Sequence, residues 1–246
     1  MLRSQAQYKS GAAARNSNMS TPEKSRAVVC LSGGMDSAVC ATLAAREHEV
    51  YAMHFSYGQR TEQRELHSAR AVAAALGIQH FLALRMDLFR QIGGSALTDA
   101  SIAIPDAPPA AEIGAQVPVT YVPFRNAHFL SAAVSWAEVV GAKKIFIGAV
   151  EQDSSGYPDC RPAYYQAFQQ LIRTGTRDGG IEVITPLIAL KKNQIVRLGM
   201  EHNAPFASTW SCYVEQSAAC GKCESCALRL RAFAEAGLQD PIPYSS

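Results

Sequence analysis

Ser32-Gly33-Gly34-Met35-Asp36-Ser37 constrains the fold of this 246-residue chain more than any other stretch. An apolar run, Ala27-Val28-Val29-Cys30-Leu31, precedes it and reads as a buried strand. Ala38 to Ala45 follows and reads as a helix. A Ser/Gly-rich turn between a strand end and a helix N-terminus is built to hold an anion. Glycines let the backbone approach closely, the first N–H groups of the helix are free, and the helix dipole favours negative charge. Ser32 and Ser37 add hydroxyl donors.

The rest of the chain repeats the alternation. Strands are expected at Val50–Phe55, Ile78–Leu84, Lys144–Gly148 and Ile181–Ile184. Helices are expected at Glu62–Leu76, Ala127–Val140, Ala163–Arg173, Asn193–His202 and Ser225–Gly237. Strands separated by helices predict an α/β fold, a parallel five-stranded sheet with helices on both faces, with ligands at the C-terminal ends of the strands. Gly93–Pro118 breaks the rhythm with Pro105, Pro108 and Pro109, and is expected to be a lid or a dimer-contact segment.

The turn lacks the Lys of a Walker A loop and the third glycine of a dinucleotide fingerprint. It resembles the PP-loop of the ATP pyrophosphatases, an adenine nucleotide α-hydrolase-like fold. That resemblance implies cleavage of ATP between its α- and β-phosphates and transfer of AMP to a carbonyl or carboxylate oxygen. The implied ATP-binding stretch is Leu31, Ser32, Gly33, Gly34, Met35, Asp36, Ser37, Ala38, Val39, Cys40 and Ala41, with Mg²⁺ assigned to Asp36.

Cys212, Cys220, Cys223 and Cys226 form the second strong signal. Four thiolates at this spacing suit a closed tetrahedral Zn²⁺ site, and filling all four positions with Cys points to a structural metal. An iron–sulfur cluster would use the same number of thiolates. Cys30 and Cys40 lie in apolar segments and read as core residues, and Cys160 as a bystander.

Three further segments fall where ligands are expected. Tyr57-Gly58-Gln59-Arg60 follows the second strand, and Val122-Pro123-Phe124-Arg125-Asn126 precedes a helix that Asn126 would cap. Arg125 suits a phosphate or a carboxylate. The loop from Gly148 to Arg161 suits a polar aromatic ligand: Asp153 or Asp159 would accept from ring N–H groups, Tyr157 would stack and Arg161 would meet a carboxylate. Lys191 and Lys192 open a helix, an unfavourable end for cations, which hints at service to phosphate. The catalytic candidates are thus Ser32, Asp36, Ser37, Arg125 and Lys192. The substrate-binding candidates are Tyr57, Gln59, Arg125, Asn126, Asp153, Tyr157, Asp159 and Arg161.

With these motifs, Thr185-Pro186-Leu187 and Thr209-Trp210-Ser211-Cys212-Tyr213, the chain resembles the 7-cyano-7-deazaguanine synthases from about Ala27 to Tyr244. The Gly-Tyr-Pro-Asp-Cys-Arg loop and the Cys quartet carry most of that specificity. Phe124 departs from the family, where a small residue is frequent. The resemblance implies conversion of 7-carboxy-7-deazaguanine and free ammonia into the nitrile, in queuosine biosynthesis, by a homodimer.

The chain is expected to divide into a disordered tail over residues 1–25, a PP-loop domain over 26–205 and a zinc-binding segment over 206–246 packed on the same domain. Met19 is a candidate natural start. A formal net charge of +2 gives no electrostatic reason to expect a stable nucleic-acid partner, no apolar run reaches membrane-span length, and the reduced cysteines suit the cytoplasm. There are three rival readings: a tRNA-base-modifying enzyme such as a thiolase, which the near-neutral charge and the Cys quartet argue against; an enzyme attaching a deazaguanine to a protein terminus, whose catalytic motifs would look the same; and a zinc-stabilised nucleotide sensor, which would bind ATP without turnover.

Overall fold

The computed structural model describes residues 24–109, 112–113, 115–151 and 156–245. The expected tail, apart from its last two residues, Met19 and Asp153 lie outside them. Five parallel strands run β1 (Ser25–Cys30), β2 (His48–Ser56), β3 (His80–Arg85), β4 (Lys144–Ile147) and β5 (Glu182–Ile184). Their order in the sheet is β3-β2-β1-β4-β5. The order reverses between β1 and β4, so a crevice opens at their C-terminal ends.

Side-chain alternation along the strands builds two cores. Ala27 and Val29 of β1, Val50 and Ala52 of β2 and Phe146 of β4 face one side. They pack there against α1 (Met35–Glu47), α2 (Glu62–Ala75), α6 (Lys192–Glu201) and α7 (Glu224–Ala236). Val28, Cys30, Tyr51, Met53, Ile145 and Ile147 face the other side. Their partners are α3 (Leu88–Ile92), α4 (Arg125–Val140) and α5 (Pro162–Gly175). The period of two thus sends each central strand's apolar residues to both faces, as a parallel sheet covered by helices requires.

Two expectations need correction. The five-residue helix α3 falls just before the long segment and was not expected. Asn126 does not cap α4: the N-cap is Phe124, in the left-handed region at φ 58°, and Asn126 lies inside the first turn. The described part of Gly93–Pro118 is anchored at several points. Arg60 Nε donates to Ala96 O at 2.8 Å, and its guanidinium also reaches Ile102 O. Ala96 N bonds Val119 O, and Ala107 N bonds Lys222 O, each at 2.8 Å.

Candidate active site

The phosphate-type turn leaves β1 under tight constraint. Leu31 is fully buried; its N–H donates to Met53 O at 2.8 Å, and His54 Nδ1 donates to its carbonyl at 3.0 Å. Burial lowers the His54 pKa to about 4, so the imidazole stays neutral and keeps the tautomer this bond needs. Gly33 takes φ +91°, and a Cβ there would stand 2.5 Å from Glu65 O and 2.8 Å from Ala69 N, so only glycine lets α2 close on the turn. Gly148, at the end of β4, meets the backbone of Asp36 and Ser37 as closely: a Cβ would lie 2.9 Å from it.

Gly34 is the N-cap of α1 and no side chain caps the helix, which leaves the first-turn N–H groups for a ligand. Ser37 Oγ donates to Gly34 O at 2.9 Å, and Ser32 Oγ donates to Ser37 Oγ at 3.0 Å. Lys192, the first residue of α6, forms an ion pair with Asp36 across 156 residues of sequence. Asp36 Oδ1 is buried without a hydrogen-bond partner, an orphaned acceptor that fits a cation or its water.

The turn forms one side of a cavity of about 270 Å³. Ser32, Gly34, Met35, Asp36, Ser37, Tyr57, Arg125, Asn126, Tyr157 and Lys192 all line it. Arg125 Nη1 donates to Tyr57 OH at 2.9 Å, and the guanidinium carbon lies 5.4, 5.6 and 6.0 Å from the ring centroids of Tyr57, Phe129 and Tyr157. Arg125 Nε is buried and unpartnered. A cation boxed by aromatic rings and lacking an acid partner at Nε is suited to a ligand carboxylate or phosphate. Burial pushes the Tyr57 phenol up to about 12, so it stays neutral.

Other expected residues lie outside the cavity. Ala38, Val39, Cys40 and Ala41 are buried in the core, with Leu31 and Gly33 behind the turn. Gln59 is buried and shapes the turn after β2, accepting from Tyr57 N at 2.8 Å. Asp159 accepts from Asn126 N at 3.0 Å, while Asn126 Nδ2 donates to Asp159 O at 3.1 Å. Asp159 therefore caps α4 from another segment. Arg161 is exposed and is the N-cap of α5, and Phe124 is 59% exposed and does not line the cavity. Cys160 does line the cavity, but burial raises its thiol to about 11, which leaves it inert as a nucleophile.

Sequence reasoning missed several lining residues: Glu65, Phe129, Trp210, Ser211 and Tyr213. Three of these belong to the Thr209–Tyr213 motif, whose position beside the cysteines masked a second role. Trp210 N donates to Gly33 O at 2.8 Å, which ties that motif to the phosphate-type turn.

Cys212, Cys220, Cys223 and Cys226 bring their sulfurs within 4.8 Å of one another, and Cys220 Sγ to Cys226 Sγ is 3.9 Å. Four sulfurs at about 2.3 Å from one ion would stand about 3.8 Å apart, so the quartet could bind a metal. Three backbone N–H groups, of Val214, Glu215 and Cys220, point at Cys212 Sγ at 3.3–3.4 Å. Thiol donors from Cys223 and Cys226, with those N–H groups, hold Cys212 far below the usual thiol range. Cys212, Cys223 and Cys226 are buried.

Comparison with known proteins identifies the lineage. The family model described as "Queuosine biosynthesis protein QueC" matches residues 26–237. The 7-cyano-7-deazaguanine synthase of Acidobacterium capsulatum is 70% identical over 226 residues, 92% of this chain and 99% of that one. The protein of the same name from Koribacter versatilis is 63% identical over 223 residues, 89% and 93% of the two chains. That from Chlorobium chlorochromatii is 56% identical over 223 residues, 90% and 96%. The fold, the turn, the Cys quartet and this match over most of the chain place it in the QueC family of queuosine-biosynthesis proteins.

Proposed function

We propose that the chain converts 7-carboxy-7-deazaguanine and ammonia into 7-cyano-7-deazaguanine with ATP. The observation that carries this reading is one cavity that joins an uncapped helix N-terminus at Ser32–Ser37 to an aromatic-walled Arg125. The first suits phosphates and the second suits the carboxylate of a flat heterocycle.

A carboxylate oxygen is a poor leaving group. Its attack on the α-phosphorus of ATP releases pyrophosphate and leaves that oxygen as part of AMP. Ammonia displaces AMP to give the amide and sheds a proton. A second ATP adenylates the amide oxygen, releasing pyrophosphate and one N–H proton, and loss of AMP and the remaining N–H proton leaves the nitrile. Charge develops on phosphate oxygens at each activation, where the first-turn N–H groups, Ser32, Ser37 and Lys192 would stabilise it. Arg125, with Tyr57, would orient the acid, and Asn126 and Tyr157 would complete its pocket. Gln59 and Asp159 act as positioning residues. Asp36 would hold Mg²⁺, which supplies charge neutralisation to the phosphates.

The quartet would hold Zn²⁺ in a structural role: all four positions are thiolates, so none is open for chemistry. We read residues 26–205 as the PP-loop domain and 206–246 as a metal segment packed on it, in a cytoplasmic homodimer with no stable nucleic-acid partner. Reduced cysteines and a net charge of +2 support that reading, and among the described residues no helix is long and apolar enough to cross a membrane.

Metal-loaded protein incubated with ATP, ammonium and 7-carboxy-7-deazaguanine should yield the nitrile, AMP and pyrophosphate by mass spectrometry. ATP binding with no nitrile would replace the enzyme reading with that of a nucleotide sensor.

A further inference from the structure

A deazaguanine presents a ring N–H beside an exocyclic amine, two parallel donors that one carboxylate can accept together. The sequence pointed to Asp153 or Asp159 for that contact. Asp159 gives Oδ2 to the first turn of α4 and does not line the cavity. Among the described residues, two carboxylates line the cavity, Asp36 and Glu65. Asp36 is paired with Lys192 beside the phosphate-type turn, which leaves Glu65.

We propose that Glu65 reads the ring, accepting the ring N–H and the amine of the deazaguanine, and so sets specificity for a 2-amino ring. This rests on the function proposed above. Glu65 sits in the first turn of α2. Thr61 Oγ1 donates to Oε1 at 2.8 Å and Gln59 Nε2 donates to Oε2 at 3.0 Å. One neutral donor per oxygen fixes the plane of the carboxylate and leaves each oxygen able to accept another bond. Burial meanwhile pushes its pKa up, the sign of an ionised group short of donors. A ring edge bearing two N–H groups supplies what is missing. Phe55, Tyr57, Leu97 and Phe129 line the same cavity and provide apolar surface for the ring, and Arg125 is there for its carboxylate.

The arrangement also accounts for Gln59. It is buried, holds Tyr57 N with its carbonyl and Glu65 with its amide, and so sets the carboxylate and the phenol in one register. The Gln of the Tyr57–Arg60 motif is thus a positioning residue for the ring.

The test compares 7-carboxy-7-deazaguanine with the analogue carrying hydrogen in place of the 2-amino group. Wild type should prefer the amino substrate by roughly 10- to 100-fold in kcat/KM. Glu65→Gln should raise KM for the amino substrate, bring the preference to within a few-fold, and leave KM for ATP and the melting temperature near wild type. Glu65→Asp, which keeps the charge and withdraws the oxygens, should do the same. A preference unchanged in both variants overturns the proposal. Calorimetry with 7-deazaguanine itself, which has no carboxylate to activate, reads the contact without turnover: affinity should fall roughly 10- to 100-fold in Glu65→Gln, and equal affinity overturns the assignment even if wild type makes nitrile. Absence of nitrile from wild type, with the calorimetric difference intact, would instead overturn the reaction and keep the ring contact.

Discussion

Gly33 and Phe124 both hold positive φ, and the chain meets the demand differently at each. At Gly33 the neighbouring backbone leaves no room for a Cβ, so the residue was legible from the motif alone. At Phe124 the side chain points outward and the backbone carries the strain of a left-handed conformation, about 1–2 kcal/mol for a residue with a Cβ. A small residue there would have a plain physical reason. Glycine would remove that strain and return roughly 0.5–1 kcal/mol in unfolded-state freedom. Phe124→Gly should therefore stabilise the protein by at most about 1 kcal/mol, a rise of roughly 2–4 °C in melting temperature, with the nitrile-forming rate unchanged. A lower melting temperature would mean that the ring's contacts with His128 and Tyr164 outweigh the backbone term.

At the scale of elements, α4 is the most instructive. Its start carries Arg125, yet it has no side-chain cap of its own, and the carboxylate that serves its first turn comes from Asp159, 33 residues later. Asp159→Ala should cost about 1–2 kcal/mol in unfolding free energy and weaken binding of the carboxylated ring, because the turn that aims Arg125 loses its acceptor and a favourable charge. An unchanged melting curve together with unchanged KM would remove Asp159 from this role. The expected helix began at Ala127 because Asn126 reads as its N-cap, whereas the chain turns at Phe124 and starts the helix at Arg125. The sheet was legible for the opposite reason. Val28, Val29, Ile145 and Phe146 announce buried strands locally, and each β–α alternation needs only short-range patterning. Helix α3 has five residues, too few for a period to show. The cavity divided along the same line: Ser32, Asp36 and Ser37 fall within one six-residue motif that sequence singles out, whereas Glu65 belongs to an ordinary helix turn that only the fold brings to the same cavity.

For the whole molecule, the Cys segment and the phosphate-type turn are coupled parts. Trp210 N bonds Gly33 O at 2.8 Å. Buried Arg229 holds the C-terminal segment together behind that contact: it pairs with Asp240 at 2.7 and 2.9 Å, and its Nη1 donates to Thr209 Oγ1 at 2.7 Å. Removing the metal should therefore weaken nucleotide binding as well as lower the melting temperature. Titration of a non-hydrolysable ATP analogue before and after chelation measures it. An affinity preserved after complete metal loss would show that the turn stands without the quartet.

Five parallel strands give the molecule two unlike ends. The cavity, Arg125, Glu65 and the cysteines gather where the strands finish. Ser25 opens β1 at the other end, where Lys24 donates to Ala45 O near the close of α1. A carrier domain, an affinity handle or a surface tether joined ahead of Lys24 would thus enter the protein at the pole facing away from its substrates. The enzyme could be anchored there, at high density, with every mouth facing outward.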